Sequence, residues 1–164
     1  MYKRQVKELK SELDEKVLIM DGGNFFQGHP LGIIDSGRTM IDWMNKIGYH
    51  ALVPGNNDFL FGIDNLIDLS KRANFSFLAA NLFYQNNNSL IFKPYEILKL
   101  NDLNIGIIGI VNPNLENLVL PQNLENLVLK NPIEILRKNI DEIKNDVDVL
   151  ILLTSSGVPW DREE

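Results

Sequence analysis

The chain has 164 residues, a mass of 18.7 kDa and 45% hydrophobic residues, which suffices for one packed core and predicts a single globular domain over 1–164. Its formal charge of -6 and pI near 4.9 come from acids scattered along the sequence, so no basic face is offered to a phosphate backbone and no nucleic-acid partner is expected. Cysteine is absent, which excludes disulfides, thiolate metal sites and a cysteine nucleophile.

The first residues, Met-Tyr-Lys-Arg-Gln-Val-Lys, open a charged helical pattern rather than an apolar leader, and no apolar run approaches the ~20 residues of a membrane span. A cytoplasmic chain without membrane contact is the expectation. Val6, Leu9 and Leu13 recur at helical spacing and predict an amphipathic helix over 3–15. Val17-Leu18-Ile19-Met20 then reads as a buried parallel strand that runs into the turn Asp21-Gly22-Gly23-Asn24. A helix over 37–47 stops at Gly48, the short strand Ala51-Leu52-Val53 follows, and Pro54-Gly55-Asn56-Asn57 turns the chain. Next come a helix over 62–73, a strand at Phe77-Leu78-Ala79-Ala80 and an exposed loop tip at Asn86-Asn87-Asn88.

Strands at 94–100 and 103–111 are separated by Asn101-Asp102, which predicts a tight antiparallel hairpin although the usual glycine is missing. Asn131-Pro132-Ile133-Glu134 supplies an N-cap, a proline at the first helical position and an acid in the first turn, for a helix over 132–145. Val147 to Thr154 is the last strand. The heptapeptide Asn-Leu-Glu-Asn-Leu-Val-Leu occurs at Asn114 and again at Asn123, a nine-residue period too short for a leucine-rich repeat, and is read as an enlarged connection. The alternation predicts an α/β domain, a largely parallel sheet flanked by helices with one antiparallel hairpin, and ligands beyond the carboxyl ends of its strands. Asn24, Asn56 and Ser155 should therefore share one rim.

The segment from Leu18 through Asp21-Gly22-Gly23-Asn24-Phe25-Phe26-Gln27-Gly28-His29-Pro30 resembles a block of the 5'-nucleotidase branch of the calcineurin-like metallophosphoesterases, in which a strand ends in Asp-x-Gly-Asp before Phe-Gln-Gly and proline. Met44-Asn45-Lys46-Ile47-Gly48-Tyr49-His50-Ala51 and Pro54-Gly55-Asn56-Asn57-Asp58-Phe59 are similar to that family's Met-Asn-x-x-Gly-Tyr-Asp-Ala and Gly-Asn-His-Glu-Phe-Asp. Asn74-Phe75 through Ala80-Asn81, Ile105-Gly106-Ile107-Ile108-Gly109, and Ile151 through Thr154-Ser155-Ser156-Gly157 continue the likeness in the family's order. The resemblance implies a partial metallophosphoesterase-type sandwich. The family's opening Asp-x-His strand, its closing Gly-His-x-His segment and its C-terminal substrate domain find no counterpart in the sequence.

The resemblance also implies two divalent metals (Mn, Zn, Ca or Mg) about 4 Å apart, acting on a nucleotide or other phosphate ester. Two dications that close repel by roughly 17 kcal/mol at an effective dielectric of 20, so anionic bridging charge is needed. The bridging position is Asn24, which is neutral, while Asn56 keeps the family's asparagine ligand. Asn57 stands for the phosphate-assisting histidine, Leu60 for the aspartate that orients it, and Ser155 for a metal-binding histidine. Catalytic residues are thus expected to be absent, metal at Asn24, Asn56 and Ser155 vestigial, and no cofactor held tightly.

His29 and His50 fall at ordinary loop positions and read as solvated rather than as ligands, and Gly22-Gly23 reads as a turn before it reads as a phosphate cradle. Asp21 is expected to hold the turn and Asp58 to be a rim carboxylate, while Phe25, Phe26, Phe59 and Phe61 are expected in the core. Three functions compete. They are a non-catalytic phosphoesterase-like domain, a residually active nucleotide hydrolase, and an interaction module or split-protein half that self-associates or takes a complementing fragment at an exposed sheet edge.

Overall fold

The computed structural model describes residues 2–13, 16–27 and 30–156, so His29 and the segment after Ser156 lie outside the described residues. Helix α1 (Tyr2–Glu12) leads to strand β1 (Met20–Asp21), a short helix α2 (Pro30–Ile34) and helix α3 (Arg38–Ile47). Strand β2 (Ala51–Leu52), a 3-10 helix (Asn56–Phe61), helix α4 (Gly62–Arg72) and strand β3 (Ser76–Phe77) follow. β1, β2 and β3 form a parallel sheet in that order. Its strands are short because the chain leaves the sheet at their carboxyl ends to build loops.

The expected helix ends hold for physical reasons. Gly48 adopts φ 82° and its N–H donates to the Met44 carbonyl, closing α3 at a position where a Cβ would be strained. Asn45 on α3 closes α4, since its Nδ2 donates to the Arg72 carbonyl and its Oδ1 accepts from the Asn74 N–H.

Strand β4 (Leu82–Tyr84) precedes the hairpin of β5 (Tyr95–Leu100) and β6 (Leu103–Ile110), paired from Leu100 opposite Leu103 to Tyr95 opposite Ile108. Asn101 supplies the missing glycine's role by adopting φ 57°, a conformation asparagine tolerates better than most residues. Beyond two 3-10 turns (Leu115–Asn117 and Pro121–Leu124) lie strand β7 (Leu127–Leu129), helix α5 (Pro132–Ile143) and strand β8 (Val149–Thr154). β8 joins β6 in parallel, giving a mixed sheet ordered β5, β6, β8. The Asn131 side chain caps α5 by accepting from the Ile133 and Glu134 N–H groups at 2.9 and 3.4 Å.

The two halves are sewn together where β3 ends. The Leu78 N–H still donates to Leu52, but Ala79 donates to Lys93, just before β5, and Ala80 to Gly109 in β6. Buried Leu52, Leu78, Ile107 and Leu115 fill one core with Phe26 and Phe59, while Ile108, Ile110 and Ile143 form a smaller one beneath α5. The repeated heptapeptide is more than a connection, because its second copy contains β7, which pairs antiparallel with β4 in a ribbon not foreseen from the sequence. No described helix is long and apolar enough to cross a membrane.

Candidate functional site

The site lies where the loops after β1 and β2 meet back to back. Gly23 adopts φ 97°, and a Cβ there would fall 2.2 Å from the Gly55 nitrogen; one on Gly55 would fall 2.4 Å from Asn24 Oδ1. Only glycine at both positions lets the two turns approach this closely. Asp21 holds the first turn as expected, accepting from the Gly23 N–H at 2.8 Å, and burial raises its pKa.

Asp58 corrects the expectation of a rim carboxylate. It is fully buried, and its oxygens accept from the N–H groups of Asn24 (2.7 Å), Phe25 (3.0 Å) and Gly55 (2.8 Å), so it ties both loops to the start of the 3-10 helix. Burial pushes its pKa up to about 7, against the three hydrogen bonds that favour the ionised form. A carboxylate enclosed in this way is an organiser of loops. The sequence signal that could have revealed it is its place three residues after Gly55, the spacing at which a side chain reaches back to the residue that opens a helix.

With the loops fixed, Asn24 (φ 62°) accepts from the Asn57 N–H through Oδ1 at 2.9 Å, and Asn56 Nδ2 donates to Asn57 Oδ1 at 3.1 Å. The three asparagines therefore form one hydrogen-bonded group. Asn57 and Leu60 line a common small cavity with Asn56, so the two positions compared with the family's catalytic pair are brought together. Leu60 is 40% exposed, and its carbonyl accepts from Asn123 Nδ2.

Ser155 follows β8, and a Cβ on Gly22 would approach the Thr154 carbonyl to 3.4 Å, so the ends of β8 and β1 are adjacent. The Ser155 hydroxyl accepts from the Asn112 N–H at 3.0 Å. His50 corrects a second expectation: it is half-buried rather than solvated, its Nδ1 accepts from the Ile19 N–H at 3.1 Å, and burial lowers its pKa. Phe25, Phe26 and Phe59 are core, whereas Phe61 is 39% exposed and stacks on Phe26.

The donors at this rim do not suit a pair of dications. Asn24, Asn56 and Ser155 offer neutral oxygens, the Asn24 oxygen already accepts a backbone proton, and among the described residues no group of three His, Cys, Asp or Glu converges on a common point. What the arrangement offers is a set of carboxamide donors and acceptors with an apolar wall.

No protein-family model matches the chain. It is 33% identical over 152 residues to a 5'-nucleotidase of Bos taurus, covering 89% of this chain and 26% of that protein. Against a 5'-nucleotidase of Vibrio vulnificus it is 28% identical over 160 residues, covering 94% and 29%. A putative 5'-nucleotidase from Staphylococcus aureus, solved in complex with alpha-ketoglutarate, superposes with a TM-score of 0.78 at 25% identity, over 97% of this chain and 33% of that one. The calcineurin-like phosphoesterase YfkN from Bacillus subtilis has the same fold, with a TM-score of 0.78 at 24% identity over 99% and 55%. The chain spans under a third of the curated relatives it matches. Paired loops after consecutive parallel strands, carrying the sequences compared above in the same order, make it a member of the 5'-nucleotidase branch of the calcineurin-like metallophosphoesterases.

Proposed function

We propose that this chain is a phosphoesterase-type domain whose hydrolytic site is catalytically impaired. The observation that carries the reading is the asparagine group. Where a bridging anion is needed, Asn24 is neutral and its oxygen is already engaged by the Asn57 backbone. Without bridging charge, roughly 17 kcal/mol of repulsion between two dications is unopposed, and no water is ionised between them. Asn57 cannot donate a charge-assisted hydrogen bond to phosphate, and Leu60 cannot orient an imidazole.

Turnover of nucleotides and of a chromogenic phosphate ester by the purified chain, with manganese, zinc or calcium added, is the test. Rates at the no-protein control are expected. Turnover above that control and abolished by Asn56→Ala overturns the reading.

A second reading has its own support. Among the described residues β8 pairs only with β6, and Val149, Leu150 and Leu152 are 41, 38 and 49% exposed along it, while β1 is also an edge strand. An added strand between the neighbouring ends of β1 and β8 would cover that apolar surface and bring further ligands, making the chain one part of a larger hydrolase of nucleotides or phosphate esters. Native mass spectrometry with a peptide carrying an Asp-x-His strand tests it. A one-to-one complex supports complementation, and an unaltered free chain dismisses it.

A further inference from the structure

We propose that the cavity beside Asn56 and Asn57 binds a small uncharged molecule bearing a primary carboxamide. This rests on the metal-poor reading of the rim and names what the rim takes instead. The cavity measures about 100 Å³, and four carboxamide residues, Gln27, Asn56, Asn57 and Asn123, are among those that line it. Each spends only part of its hydrogen-bonding capacity within the protein. Gln27 Nε2 reaches the Asn57 carbonyl at 3.4 Å, Asn56 Nδ2 reaches Asn57 Oδ1, and Asn123 Nδ2 reaches the Leu60 carbonyl at 3.0 Å. Gln27 Oε1, Asn56 Oδ1, Asn123 Oδ1 and Asn57 Nδ2 have no partner among the described residues.

These side chains thus keep three acceptor oxygens and one donor amide without a partner among the described residues, and no charged side chain lines the cavity. An anion would give up hydration with no cation to replace it, and a cation would meet only neutral oxygens. A primary carboxamide presents two N–H donors and one oxygen in a plane, which complements this set without a desolvated charge. Its alkyl end has a place too, since Leu60, Leu118 and Leu120 at the same cavity are 40, 48 and 58% exposed. A cavity somewhat smaller than the ~150 Å³ that holds a benzene suits a ligand of about five heavy atoms, such as propionamide.

The experiment titrates propionamide into the isotopically labelled whole chain and follows the side-chain amide resonances of Gln27, Asn56, Asn57 and Asn123. Inorganic phosphate, ammonium and magnesium are titrated in parallel. Saturable shifts centred on these four residues are expected with propionamide alone, with affinity about fivefold weaker in both Asn123→Ala and Leu120→Ser, neither of which disturbs a buried group. Absence of saturation with propionamide, or saturation unchanged in both variants, overturns the proposal. Tighter saturation with phosphate, ammonium or magnesium also overturns it. Magnesium binding would in addition remove the metal-poor reading, whereas failure of propionamide without magnesium binding would sink this inference alone.

Discussion

Asp58 and the asparagines around it together hold the two loops of the site. The buried carboxylate holds the backbone of both loops through three N–H bonds, beside the bond by which Asn24 Oδ1 accepts from the Asn57 N–H. Asp58→Ala leaves three enclosed N–H groups without acceptors at about 1–3 kcal/mol each, so a loss of at least about 3 kcal/mol is expected from urea unfolding. The carboxyl also makes stability depend on pH. Its native pKa of about 7 lies above the unfolded value, so the native state binds more protons between those limits and unfolding free energy falls as pH rises from about 4 through 7. The contribution is on the order of 4 kcal/mol, and Asp58→Asn should remove that slope while the exposed carboxylates keep theirs; an unchanged profile would refute the assignment.

Among the elements, the repeated heptapeptide separates sequence from conformation most plainly. Asn114 to Leu120 folds as a 3-10 turn with Leu115 fully buried, whereas Asn123 to Leu129 ends in β7. Local propensity is identical, so neighbours decide: β4 offers a pairing edge to the second copy. Its entry is marked by Asn126 at φ 64°, while Asn117 takes no such conformation. Asn126→Ala is expected to cost about 1 kcal/mol and Asn117→Ala less than about 0.5 kcal/mol, measured as midpoint shifts in urea. Equal costs would mean that the two copies share one backbone state.

Gly109 is the matching case in β6. A Cβ there would come within 2.3 Å of Leu78 Cβ and 2.8 Å of its backbone, at the seam between the sheets, so Gly109→Ala should destabilise by about 3 kcal/mol. Asn81 reinforces this seam, with its amide donating to the Val111 carbonyl and its oxygen accepting from the Val111 N–H, both at 3.0 Å. The sequence marked Asn81 only as part of a likeness. Its bond to a residue thirty positions away has no periodic trace.

For the whole molecule, protection should follow enclosure. β2 and the carboxyl half of β6 are fully buried, whereas α1 packs against α3 with Leu9 and Leu13 each 51% exposed. Amide hydrogen exchange is therefore expected to be slowest in β2 and β6 and fastest in α1, and equal protection of α1 and β2 would contradict it. The exposed pair Arg72 and Asp42 joins α3 to α4 through two short bonds, at 2.7 and 2.6 Å, and solvent screening leaves it a minor contributor to stability.

Helices α3, α4 and α5 and the hairpin were legible in the sequence because caps, turn residues and apolar runs act over a few neighbours. The neutral chemistry of positions 24, 57, 60 and 155 was legible for the same reason: it depends on residue type alone. Tertiary structure decided that Asp58 is enclosed, that Asn24 is engaged by Asn57, that Ser155 is drawn to Asn112, and that one copy of a repeated peptide becomes a strand. Those outcomes depend on which distant groups arrive within hydrogen-bonding reach, and a linear pattern carries no such distance.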